Sequence, residues 1–413
     1  MKILHVVQGY IPAIGGTERL IQKVSEKLVA RYGDVVTVFT TTAYNCELFW
    51  RTDQPQLPAG TEIINGVTVR RFPVFNRLGP VLRLLAGGAY LLHLPFNDRL
   101  RTWQNGPIVP GLGREIIRCD AEVVAASSFP LLHMHTTLRA GQQKGVPVVL
   151  HGGIHTADTY GFNRPVIYKT IRAAMAYIAN TQFEADYVMT KGVAPEKIHV
   201  VGVGVDVESL SHIDTGAIRQ RYGWATDAPV IAFVGQQVPH KGVDMLLTAM
   251  PVIWTEYPQA CLLLAGARTS YSEHIDHWLA ELSPSQRMQV AVINNFPEEE
   301  KANIFAACDM LVFPSAHESF GIVILEAWAA GKPVIGVRVG AVASVIDEGK
   351  NGILIRHRSV PDLVTAIRTL IHNPALAREL GEHGRQKVLH RYTWDLVADR
   401  FREVYQQSIG NKT

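Results

Sequence analysis

In His317-Glu318-Ser319-Phe320-Gly321-Ile322-Val323-Ile324-Leu325-Glu326, two carboxylates stand with seven residues between them, shortly after an apolar run that Pro314 closes. The run reads as a strand and the apolar residues after Gly321 as a helix, so the chain here passes from strand through loop into helix. The free backbone amides of Ser319, Phe320, Gly321 and Ile322 then form the positive end of that helix, where a pyrophosphate or sugar hydroxyls can be held. Glu318 in the loop and Glu326 on the helix can grip two ends of an extended ligand such as a sugar nucleotide. A helix cap beside a surface glutamate is the plainer account.

A second element, Phe233-Val234-Gly235-Gln236-Gln237-Val238-Pro239-His240-Lys241-Gly242, follows another apolar run. Gly235 lets the backbone turn tightly. Lys241, just before a helix beginning near Val243, can neutralise phosphate charge as a nucleotide departs, or be an ordinary solvated lysine. A third element runs from Gly9 to Glu18, where Gly15-Gly16 before a helix allow close backbone approach to an anion or a sugar. It does not match the three-glycine dinucleotide fingerprint and no acidic residue closes the second strand, which disfavours a nicotinamide enzyme. His151 and His155 flank a glycine pair at the end of an apolar run. Either ring can hydrogen-bond a sugar or its own loop, and neither stands with a cysteine or carboxylate at ligand spacing, so no metal is expected there. His133 and His135 alternate along what reads as an extended run and are taken as structural, a weak metal site being the other reading.

The elements that must position these residues follow from length and pattern. A chain of 413 residues, 47% apolar and 19% charged, is a globular protein with room for two cores. Its formal charge of +3 is scattered, without the basic cluster that nucleic acid requires. Cys46, Cys119, Cys261 and Cys308 stand far apart, which fits a reducing, cytoplasmic setting and neither zinc nor a disulfide framework. The first residues read as a strand, not a signal peptide, and no transmembrane helix is expected. Short apolar runs at 3–7, 35–40, 123–126, 146–150 and 175–179 alternate with amphipathic stretches, the signature of parallel βαβ units. Between the first two, Thr17 can cap a helix that Gly33 ends. A last run at 198–205 precedes a polar, broken segment, 206–227, which we take as the domain boundary. The scheme then repeats with strands at 230–234, 261–265, 289–293, 310–313, 333–337 and 353–355. The fold class is therefore α/β, two doubly wound Rossmann-like domains, with ligands at the carboxyl ends of strands. Residues 76–110, rich in Leu and Gly with Arg77, Arg83, Arg99 and Arg101, read either as helices packed on the first sheet or as a basic amphipathic surface touching lipid or a lipid-linked acceptor.

Together the three elements resemble the retaining glycosyltransferases of family four, whose fold is called GT-B, over nearly the whole chain. The resemblance rests on Gly15-Gly16, the loop from Gly235 to Lys241-Gly242, the Glu318 and Glu326 pair, and the run Gly331 to Gly336, with Asn351-Gly352 and Tyr392-Thr393-Trp394 in support. It implies two domains facing across a cleft: residues 1–205 for the acceptor, 206–392 for the nucleotide sugar, and a final helix, 393–413, crossing back to the first. It implies transfer of a sugar from a nucleoside diphosphate donor to a hydroxyl acceptor with retention, without a cofactor. Glu326 would bind the ribose, Glu318 the donor sugar and Lys241 the diphosphate. Amides at Ser319, Phe320 and Gly321 would hold sugar hydroxyls, and Gly16 would approach the phosphate on closure. The family histidine maps to His151 or His155, with His151 preferred as the residue that ends the strand. Gln236, kept in the donor loop beside Gly235, stands where the family usually carries Arg. Arg268 is the candidate to replace that charge. Gly340-Ala341 replaces a frequent glycine pair. Epimerases and phosphorylases share the architecture, a phosphorylase needing a lysine for pyridoxal, and a non-catalytic protein closing on a sugar nucleotide is the reading from another class.

Overall fold

The computed structural model describes residues 1–13, 15–210 and 216–411. Ile14 of the glycine-rich run and residues 211–215 of the polar segment lie outside them. Contacts divide the chain into two units, Met1–Val203 with Trp394–Thr413, and Gly204–Thr393.

In the first unit the strands are β1 (Lys2–Val6), β2 (Val35–Thr41), β3 (Gly60–Ile64), β4 (Val67–Phe72), β5 (Val123–Ser127), β6 (Val148–His151), β7 (Ala176–Ala179) and β8 (Ile198–Val200). They form one sheet in the order β3-β4-β2-β1-β5-β6-β7-β8, parallel except that β3 runs antiparallel to β4. The hairpin β3–β4 was not anticipated, although its turn is written in the sequence. Asn65 and Gly66 both take positive φ, 49° and 81°, the pair that matches a two-residue turn to strand twist. Helix α1 (Gly16–Tyr32) follows β1 and ends at Gly33 in the left-handed conformation, as its sequence suggests. Its start differs from the expectation. The cap is Gly15, with no side-chain hydrogen bond, and Thr17 lies inside the first turn. The buried Glu18 carboxylate occupies that corner, accepting from Gln8 at 2.8 Å, and a Cβ on Gly15 would come within 2.2 Å of it.

His133 and His135 also depart from expectation. They lie not on an extended run but on the helix Leu132–Lys144, whose buried positions Met134, Thr137, Leu138, Ala140 and Gly141 repeat at helical spacing. The region 76–110 forms α2 (Gly79–Leu91) and α3 (Asn97–Asn105); α2 packs on α3, and α3 on the helices Leu132–Lys144 and Pro165–Ala173. The last helix, Trp394–Gly410, lies on α1 and beside β5, β6 and β7.

The second unit's sheet contains β9 (Val230–Val234), β10 (Cys261–Gly266), β11 (Val290–Asn294), β12 (Met310–Phe313), β13 (Val334–Val337) and β14 (Gly352–Ile355), all parallel in the order β11-β10-β9-β12-β13-β14. Its strands are near-continuous apolar runs because helices cover both faces. The chain winds outward from β9 through β10 to β11, then returns to place β12 on the other side of β9. The carboxyl ends of β9 and β12 therefore splay apart at a switch point, where open α/β sheets bind ligands.

Among the described residues no helix is long and apolar enough to cross a membrane, and no group of three or more His, Cys, Asp or Glu is arranged to hold a metal ion. The four cysteines are free.

Candidate active site

The loop after β9 carries Gly235 to Gly242, and the loop after β12 carries Pro314 to Gly321, so the switch point brings the first two sequence elements side by side. Lys241 Nζ donates to Glu318 Oε1 at 2.5 Å, across 77 positions of sequence, with side chains 20% and 10% exposed. Lys241 closes a single 3-10 turn, Pro239–Lys241, and sits 5.9 Å from the centre of the Phe313 ring. Gly242 fixes the approach of the two loops. It has φ 74°, and a Cβ there would lie 2.6 Å from the Pro314 carbonyl oxygen, so any side chain would push Lys241 away from Glu318. Ser315 and His240 add a second link, hydroxyl to carbonyl, at 3.4 Å.

Gly321, at φ 95°, caps the helix Ile322–Ala329 with no side-chain cap; the Ile324 amide returns to the Gly321 carbonyl at 2.9 Å, which leaves the Ile322 and Val323 amides for a ligand. Phe320 is buried against Tyr392, with ring centres 5.6 Å apart, and anchors the loop; Ser319 beside it is half-buried. Glu326 lies within the helix and is buried, yet it does not meet Lys241. Its Oε1 accepts from Lys301 at 2.6 Å, and Lys301 also reaches Glu298 at 3.0 Å. Lys301 escaped the sequence reading because it follows Glu298-Glu299-Glu300 and looks like part of a solvated charge run. Each carboxylate of the pair thus carries its own lysine. Two such pairs are nearly neutral, which removes the repulsion that two bare carboxylates would exert on a diphosphate.

Gln236 is exposed beside the half-buried Gly235, while Gln237 is buried and donates to Asn294 at 2.8 Å. Arg268 begins the next loop, its amide held by Asn295 at 3.1 Å, but its guanidinium pairs with Asp276 on an exposed flank. The candidate replacement charge is thereby committed to a surface partner.

In the first unit, Gly16 is exposed as the first residue of α1. His151 ends β6 and is 3% exposed; its Nε2 meets Asn180 at 2.9 Å, its Nδ1 is buried without a partner, and its ring packs on Phe401. Burial pushes its pKa down to about 4, so it is a neutral imidazole near pH 7. His155, four residues on, is half-buried against Phe162. The loop between them is shaped by Glu184, which sequence reasoning missed. This carboxylate is 1% exposed and accepts from the amides of Gly153, Ile154 and Asn180 and from the Tyr177 hydroxyl, all within 3.0 Å. A Cβ on Gly152 would lie 2.0 Å from it, so the glycine after His151 is required by this carboxylate. Glu184→Ala leaves these donors unsatisfied and is expected to destabilise the first unit by about 3 kcal/mol or more, measurable by urea unfolding, with Glu184→Gln recovering part of the loss.

Comparison with known proteins assigns the chain to a family. Residues 214–387 match the family model described as glycosyl transferases group 1, and residues 14–209 match that of glycosyltransferase family 4. A D-inositol 3-phosphate glycosyltransferase of Nocardioides sp. is 30% identical over 328 residues, 71% of this chain and 70% of that protein. The chain belongs to the group 1, family 4 glycosyltransferases. It is an enzyme of that class, and a further relative, the D-inositol 3-phosphate glycosyltransferase of Stackebrandtia nassauensis, is 28% identical over 89% of this chain and 83% of its own. The sucrose-phosphate synthase of Thermosynechococcus elongatus has the same fold, with a TM-score of 0.73 at 19% identity over the full length of both chains. So does the Anabaena protein HepE in complex with UDP, with a TM-score of 0.71 at 19% identity over 98% of this chain and 100% of that one. The family 4 transferase therefore has the GT-B fold class, built from two Rossmann-like units.

Proposed function

We propose that the enzyme transfers a sugar from a nucleoside diphosphate sugar to a hydroxyl acceptor with retention of configuration, the donor lying on the second unit. The observation that carries this reading is the Lys241–Glu318 ion pair at the switch point of β9 and β12. In it, Lys241 faces the diphosphate and offsets the charge that develops as the nucleotide leaves, while Glu318 contacts the donor sugar. Amides at Phe320 and Gly321 take sugar hydroxyls, and Glu326, steadied by Lys301, binds the ribose. The acceptor hydroxyl attacks from the face that the nucleotide vacates, and the departing phosphate takes its proton, so positioning and charge stabilisation carry the catalysis. The four free cysteines fit a cytoplasmic setting.

Thermal-shift measurements with UDP, GDP and ADP and their sugars, followed by assay of nucleoside diphosphate release, test the proposal. One nucleotide series should raise Tm and turn over. Binding without release would make the protein a sensor, and neither would reject the donor site. Glu326→Ala is expected to raise the KM for the donor about tenfold with little change in kcat, the pattern of a group that binds the nucleotide equally in ground and transition states.

A further inference from the structure

Helix α2 is built inside out. Its buried residues are the small ones, Gly79, Ala86 at 0% and Ala89 at 4% exposure, whereas Leu84, Leu91 and Leu92 are 77%, 75% and 72% exposed. Among the described residues, ten of the nineteen exposed large hydrophobic side chains fall between Phe75 and Trp103, a span of 29 positions, so the apolar surface is concentrated on this one hairpin. A soluble surface scatters such residues singly. Val81, Leu85 and Phe96, about half exposed, extend the patch.

Charge distinguishes the occupant. Arg77, Arg83 and Arg99 are exposed on the hairpin and have no ion-pair partner among the described residues. The single acidic residue of the span, Asp98, is turned inward, accepting from Arg164 at 2.6 Å and from the Val166 amide at 2.9 Å. Arg101 adds a further cation, buried between the rings of Tyr90 and Tyr160 at 4.8 and 4.0 Å, with Nε and Nη2 unpartnered. An apolar face rimmed by unmatched arginines suits a surface that is apolar beneath and negative at its boundary. We infer that the α2–α3 hairpin docks on an anionic lipid bilayer, with Leu84, Leu91 and Leu92 seated among acyl chains and Arg77, Arg83 and Arg99 among the headgroups.

Co-sedimentation of the full chain with vesicles tests this, and its readout is independent of sugar transfer. The protein should pellet with vesicles of phosphatidylcholine containing about one third phosphatidylglycerol, at least about tenfold more than with phosphatidylcholine alone, and be released by molar salt. Leu84→Gln, Leu91→Gln and Leu92→Gln together should abolish pelleting without changing Tm, because all three side chains are exposed. Arg77→Gln, Arg83→Gln and Arg99→Gln together should remove the preference for phosphatidylglycerol. Wild-type protein left in the supernatant with both vesicles, or a leucine triple variant that pellets like wild type, would overturn the inference. A dimer on size exclusion that the leucine substitutions dissociate would overturn it too, assigning the face to a second copy.

Discussion

Lys241→Met is expected to lower kcat/KM for nucleoside diphosphate release by about a hundred- to a thousandfold, the usual consequence of removing one charged donor aimed at a leaving group. Glu318→Gln should fall in the same range, because the two side chains form one unit 2.5 Å across. The double variant is then expected to be no slower than the worse single one, since residues that act together are far from additive. Stability separates catalysis from simple disruption. Lys241→Met leaves a carboxylate that is only 10% exposed without its counter-ion, so its Tm should drop, and Lys241→Met with Glu318→Gln should recover it without recovering activity. Transfer that persists in both single variants would remove the pair from the reaction. Gly242→Ala offers a check that touches neither charge: its Cβ would meet the Pro314 carbonyl, separate the two loops and lower activity in the same direction.

Much of this frame can be read from the sequence, for a physical reason. Parallel strands buried on both faces must be short apolar runs, and helices that cover them must be amphipathic, so the alternation survives without any tertiary information. Two doubly wound sheets follow from it, and the glycines and charges after β9 and β12 mark the loops that the switch point brings together. What escaped depends on contacts between distant positions. Lys301 gains its meaning only by reaching Glu326 from another helix, and Glu184 only by collecting amides from the loop after β6. Neither side chain has a local pattern that distinguishes it from a solvated one. The hairpin β3–β4 is a different case, since Asn65-Gly66 between apolar neighbours is a local signal for it. The alternation of His133 and His135 reads as an extended run, whereas the three- and four-residue spacing of Met134, Thr137, Leu138 and Gly141 is what the folded helix follows.

Three buried histidines and the half-buried His135 in the first unit lead to the other large effect, a steep loss of stability on mild acidification. Burial lowers the pKa of His133, His135 and His151 to about 4 and that of His5 to about 3. In the unfolded chain each titrates near 6.5, so that state binds more protons and folding is favoured where the rings are neutral. The contribution is complete above about pH 6.5 and is lost as pH falls toward 4, at about 1.4 kcal/mol per pH unit for each ring, or at most roughly 5.6 kcal/mol per unit for four. Glu18 and Glu184 oppose this, because burial raises their pKa, and their contribution is present at low pH and lost as pH rises through the folded value. Two carboxyl groups against four rings leave the net slope in the histidines' direction. A domain stable by about 5–15 kcal/mol cannot absorb such a slope for long, so the first unit should unfold near pH 5. Hydrogen exchange read by mass spectrometry between pH 7 and 5 should show β1, β5 and β6 losing protection before β9, β10 and β12. His133→Gln, which keeps a donor for the Ser127 carbonyl now bound at 2.7 Å, should lower the slope by one proton. A slope unchanged by that substitution would place the acid sensitivity elsewhere in the molecule.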